Sequence, residues 1–89
     1  MTKRTTSLDK LLRRISVNPK VMVGKPVIRG TRVPVELIVK MLAQGIAEDE
    51  ILKEYPRLKT DDIKAALAYA SVVLSNEEIY HLTALEATA

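Results

Sequence analysis

The sequence predicts a mainly α-helical fold, a small tri-helical helix-turn-helix domain with a short N-terminal β-hairpin or extended arm. The stretch after Pro34 holds three amphipathic segments, punctuated by Gly45 and by Tyr55-Pro56. Ahead of it, two β-favouring pairs flank Arg29-Gly30-Thr31, where Gly30 is free to take positive φ. A chain of 89 residues, 47% apolar and 28% charged, also fits one small domain and excludes two.

Taken in order, residues 1–14 form a basic N-terminal arm or short helix. Leu8, Leu11, Leu12 and Ile15 fall at i, i+3, i+4 and i+7, and Thr6 is placed to cap them. Ile15-Ser16-Val17 alternates before the turn pair Asn18-Pro19, and Val21 to Val23 predicts a brief strand. Gly24 to Pro34 then reads as a tight hairpin or an extended loop. A helix over 34–44 follows, with Pro34 in its first turn, Val35, Ile38, Val39 and Leu42 on one face, and Gly45 as the stop. Leu37 and Met41 make it apolar nearly all round, so it is central to the core or shared with a second subunit.

The second helix starts at Ala47, where Glu48, Asp49 and Glu50 meet the positive end of the dipole and Ile46 and Ile51 form a hydrophobic staple. It ends near Tyr55-Pro56. Thr60 is then expected to cap a third helix opened by Asp61 and Asp62. Its apolar stripe is Ile63, Ala66, Leu67, Ala70, Val73 and Leu74, which leaves Lys64, Ala65, Ala68 and Ser71 exposed. Residues 15–74 thus make the helical domain. In 75–89 a second capping box, Ser75 to Glu78, predicts a separate tail helix carrying Ile79, Leu82 and Leu85.

Charge is split along the chain. Residues 1–32 carry nine Lys/Arg against Asp9, net +8, while 33–89 carry five against ten acids, net −5. That asymmetry points to nucleic acid or an acidic protein at one end and a different partner at the other. Cysteine is absent, which removes disulfides, zinc fingers and thiol nucleophiles and suits a cytoplasmic location. The longest uncharged stretch, Ala65 to Asn76, has 12 residues, short of the ~20 that span a bilayer, so no membrane partner is expected.

The candidate DNA-binding residues are Arg13, Arg14, Lys25, Arg29, Thr31 and Arg32, cations and a hydroxyl that converge if the arm packs beside the glycine loop. The competing reading has Arg29 and Arg32 paired with acids such as Glu36 or Glu50, merely holding the loop. Alanine at either arginine is expected to leave the fold intact. Asp61 and Asp62 repel phosphate at the end of the third helix that normally enters the groove, so that helix is a poor reader of bases. Gly24-Lys25 is no P-loop, because Pro26 stands where a Ser or Thr must hold magnesium. His81 is the sole histidine and the acidic pairs sit at helix starts, so neither an enzyme nor a cofactor or metal is expected. Tyr55 and Tyr69 read as core, leaving no stacking platform for single strands.

Ile15-Ser16-Val17-Asn18-Pro19, with Gly24-Lys25-Pro26-Val27-Ile28-Arg29-Gly30-Thr31-Arg32-Val33-Pro34-Val35, resembles the signature of the domain of unknown function family 433. Gly45-Ile46, Glu50-Ile51-Leu52, Tyr55-Pro56 and Ala66-Leu67-Ala68-Tyr69-Ala70 resemble its second half. Val23 departs from it, standing where a second glycine is often seen, and Ala47 stands where a Ser or Thr would cap. The resemblance implies a homeodomain-like or winged-helix-like fold. It also implies a role as a VapB-like antitoxin of a bacterial toxin–antitoxin pair, beside a PIN-like ribonuclease toxin. The apolar helix 34–44 and the small core add the expectation of a homodimer, and the tail's own capping box and stripe that of toxin binding through Ile79, Leu82 and Leu85, with operator DNA bound through the basic part. The alternative is a protein-binding module without DNA activity.

Overall fold

The structure, a computed structural model, describes residues 7–88, with side chains described for residues 7–76. Helix α1 (Ser7–Leu12) leads into strand β1 (Ile15–Ser16), a 3-10 turn (Met22–Gly24) and strand β2 (Val27–Ile28). Helices α2 (Val35–Ala43), α3 (Glu48–Glu54) and α4 (Thr60–Thr88) follow. The mainly helical class with a short antiparallel β-hairpin is therefore observed, and the five residues 55–59 join α3 to α4 as expected. Strands β1 and β2 pair in the register Ile15↔Ile28 and Ser16↔Val27.

Local chemistry sets the helix ends. Gly45, at φ +85°, ends α2 in a Schellman motif, in which Ile46 N–H donates to Met41 O at 3.1 Å and Gly45 N–H to Leu42 O at 3.0 Å. Pro34 is the extended N-cap of α2, one position ahead of the expected place. Ala47 caps α3 with no side-chain oxygen to offer, and only Glu50 reaches back, its Oε1 accepting from Ala47 N–H at 3.4 Å. Thr60 is not the cap of α4. Asp62 reaches back instead, its Oδ2 accepting from Lys59 N–H, just ahead of the helix, at 2.8 Å.

The core joins Ile15 and Ile28 of the hairpin to Val35, Ile38 and Met41 of α2, Ile51 of α3, Leu58 of the turn, and Ile63, Ala65 and Ala66 of α4. Tyr55 and Tyr69 pack against it half-buried, as expected of core tyrosines. Helix α4 packs against α1, β1, α2 and α3, and Ala65, Ala66 and Ala68 are all buried, so it buries more than one face. This reverses part of the expected stripe: Ala65 and Ala68 are buried, while Leu67 and Leu74 are exposed.

Two further expectations fail. Val21 to Val23 is no strand, because Met22 and Val23 both lie in the left-handed region, at φ 52° and 55°. The break expected at Ser75 does not occur either, and α4 runs through to Thr88. A capping box starts a helix only where the chain before it has left helical geometry, and Ala70 to Leu74 contains no glycine or proline to force that. The Thr6 cap lies outside the described residues, as do the side chains of His81, Ile79, Leu82 and Leu85.

Candidate nucleic-acid interface

The signature loop folds as the tight hairpin. Thr31 N–H donates to Ile28 O at 2.9 Å, closing a four-residue turn whose third position is Gly30 at φ +82°. A type II turn demands that positive φ. The Thr31 hydroxyl donates to Ile28 O at 2.7 Å and accepts from Val33 N–H at 3.0 Å. Ile28 N–H to Val33 O at 3.0 Å and the Val27↔Pro34 bridge complete the return.

Most of the expected DNA-binding cations are committed within the fold. Arg29 bonds three consecutive carbonyls: its backbone N–H donates to Arg14 O at 2.7 Å, its Nε to Arg13 O at 2.8 Å and its Nη2 to Ile15 O at 2.9 Å. It holds the hairpin to the N-terminal segment, which is the loop-holding role with carbonyls in place of Glu36 or Glu50. Arg14 Nη1 donates to the buried Asp62 Oδ1 at 3.0 Å, and its Nη2 lies 3.5 Å from Asp61 Oδ2. The acids at the start of α4 are thus matched by a fixed guanidinium, which lowers the repulsion they offer to phosphate. Lys25 Nζ pairs with Glu36 Oε2 at 2.9 Å, both exposed. Thr31 serves its own turn.

Arg13 and Arg32 remain exposed, with no hydrogen bond or ion pair from their side chains to any described residue. Arg32 lines an open cleft of about 580 Å³ together with Ser16, Gly30, Thr31 and Arg57, over the buried Val27. Arg57 was not legible as a site residue. It lies in the turn between α3 and α4, 25 positions from Arg32, and its only sequence sign is a cation directly after Pro56. It too is exposed and without a described partner.

Two guanidinium groups and the hydroxyls of Ser16 and Thr31, with no carboxylate in the lining, suit an anion and supply no general base. No cluster of three His, Cys, Asp or Glu side chains able to hold a metal occurs among the described residues. Nor is any helix among them long and apolar enough to cross a membrane.

The hairpin, both arginines of the cleft, helices α2 and α3 and the first 11 residues of α4 fall within residues 15–70, which match the family described as "Protein of unknown function (DUF433)". The chain belongs to the DUF433 family. A crystal structure of a DUF433 member from Anabaena variabilis ATCC 29413, at 2.00 Å resolution, is 32% identical with a TM-score of 0.67. That likeness covers 82% of this chain and 72% of the other. The uncharacterized protein y4eO of Sinorhizobium fredii (strain NBRC 101917 / NGR234) is 36% identical over 56 residues, which are 63% of this chain and 25% of y4eO. An uncharacterized protein of Archaeoglobus fulgidus is 57% identical over 30 residues, 34% of this chain and 83% of that one. This DUF433 chain thus spans about a quarter of the length of the Sinorhizobium relative. All of the cleft residues named above lie inside the family region, as does the Arg29 anchor.

Proposed function

We propose that this DUF433 protein is a non-enzymatic binding protein, the antitoxin of a bacterial toxin–antitoxin pair. It neutralises a PIN-like ribonuclease toxin and binds operator DNA through phosphate contacts in the Arg32–Arg57 cleft. The observation that carries the DNA half is the contrast in commitment. Arg14, Lys25 and Arg29 are spent on Asp62, Glu36 and backbone carbonyls, whereas Arg32 and Arg57 line one open cleft with no described partner. The antitoxin class rests on the resemblance of the glycine-rich signature.

A second reading is favoured by how few cations line the cleft. The cleft itself supplies Arg32 and Arg57, two phosphate contacts per chain, against the roughly 6–10 of a strongly salt-dependent complex. In that reading the two arginines of the cleft enter the acidic, metal-binding pocket of the nuclease and block it by charge.

Fluorescence anisotropy of the full chain against duplex from its own upstream region separates the two. With phosphate contacts, log affinity falls linearly with log salt, and Arg32→Ala/Arg57→Ala reduces the slope by roughly two units at ~0.9 per contact. A double variant that keeps the slope but no longer inhibits the nuclease supports the protein-only reading. Wild type without salt-dependent binding rejects the DNA half.

A further inference from the structure

We propose that the outward stripe of α2 is the interface of a symmetric homodimer, a surface separate from the arginine cleft and independent of the function proposed above. Glu36, Val39, Lys40 and Ala43 recur at i, i+3, i+4 and i+7, so they form one face of α2. With Val73 and Leu74 of α4 they line a groove of about 410 Å³. Leu74 is 60% exposed there, and Glu36, Lys40 and Ala43 are exposed as well. The face is therefore an apolar strip that carries one acid and one base a helical turn apart.

That arrangement specifies its occupant. A two-fold interface is self-complementary, each patch meeting its own copy. A two-fold axis across α2 sets the two helices antiparallel and brings Glu36 towards Lys40 of the partner subunit, twice over. Val39 lies between the two ion pairs and Ala43 about one turn beyond Lys40, both small enough for helix axes to approach to the usual ~8–10 Å. The present partner of Glu36, Lys25, is exposed like Glu36 itself, and such pairs hold weakly enough to be exchanged. A chain this short also gains most from sharing a face, since small domains bury the least surface by themselves.

Sedimentation velocity on the full chain from about 1 to 100 µM, a range that brackets a stable pair, reads the outcome. The expected species is twice the 9.9 kDa chain. Lys40→Glu sets four carboxylates face to face and raises the dissociation constant at least about tenfold. Glu36→Lys/Lys40→Glu, which exchanges the charges, restores it to within about threefold. Ala43→Asp, exposed on the same stripe, is a second disrupting variant, and circular dichroism verifies that each protein is folded. A wild type that is monomeric throughout overturns the proposal. So does a Lys40→Glu protein that is as dimeric as wild type, or an exchanged pair as weak as the single variant.

Discussion

Arg29 and Arg32 flank the same glycine-threonine turn and differ in everything that matters for their use. The side chain of Arg29 spans two carbonyls 2.8 and 2.9 Å away, on Arg13 and Ile15. The side chain of Arg32 meets none. Hydrogen bonds from a charged donor are the stronger kind, and removal of the donor leaves the half-buried carbonyl of Ile15 without it. Arg29→Ala therefore costs about 1–2 kcal/mol in urea unfolding, against the intact fold expected from the sequence, whereas Arg32→Ala stays within about 0.5 kcal/mol. Equal midpoints for the two variants would contradict this. Only Arg32 is thus a clean probe of binding, which is why the DNA experiment pairs it with Arg57 and leaves Arg29 in place.

At the scale of the element, the turn Met22–Gly24 holds a strained valine. The φ of Val23 is 55° and the residue is 94% exposed. A branched side chain pays for that backbone without burying anything in return. Left-handed geometry costs an L-residue roughly 1–2 kcal/mol, and glycine loses about 0.4–1 kcal/mol of that advantage through the freer unfolded chain. Val23→Gly should raise the melting temperature by roughly 5 °C, corresponding to about 1 kcal/mol in a domain of this size. A lower melting temperature would show that Val23 makes a contact that outweighs its backbone strain.

The same elements show what was legible. Helix α2 and its glycine stop follow from spacing and from one residue's freedom at positive φ, both local properties, and α3 follows from its acidic first turn. The burial of Ala65 and Ala68 in place of Leu67 and Leu74 was not legible. Alanine suits either environment, and the choice is made by the elements that pack on α4, among them α1 and β1 from far away in the chain. The site was obscured in the same way. Arg14 finds Asp62 across 48 residues and Arg29 finds Ile15 across 14. No local pattern says which of several arginines will be consumed by such long-range bonds and which will stay free. The run Val21 to Val23 reads as a strand because β-branched residues favour one, whereas consecutive turn bonds, Val21 N–H to Asn18 O and Gly24 N–H to Val21 O, wind this backbone instead.

For the whole molecule, the proposed dimer face on α2 and the cleft between hairpin and interhelical turn involve different side chains, so one chain has room for both. Asp62 adds a property of the ensemble. One of its oxygens caps α4 through Lys59 N–H and the other receives Arg14, from the segment that follows α1. A helix start held only by its own cap frays freely, but this one shares its carboxylate with the docking of another helix. Opening the first turn of α4 and releasing α1 therefore belong to a single cooperative event, in the sense of a contiguous unit seen by native-state hydrogen exchange. The Lys59 amide should exchange through the same opening as the amides of α1, and Asp62→Ala should speed both together. Accelerated exchange at Lys59 with α1 unchanged would separate the two. If they are joined, a partner that grips α1 protects the entrance of α4 without touching it.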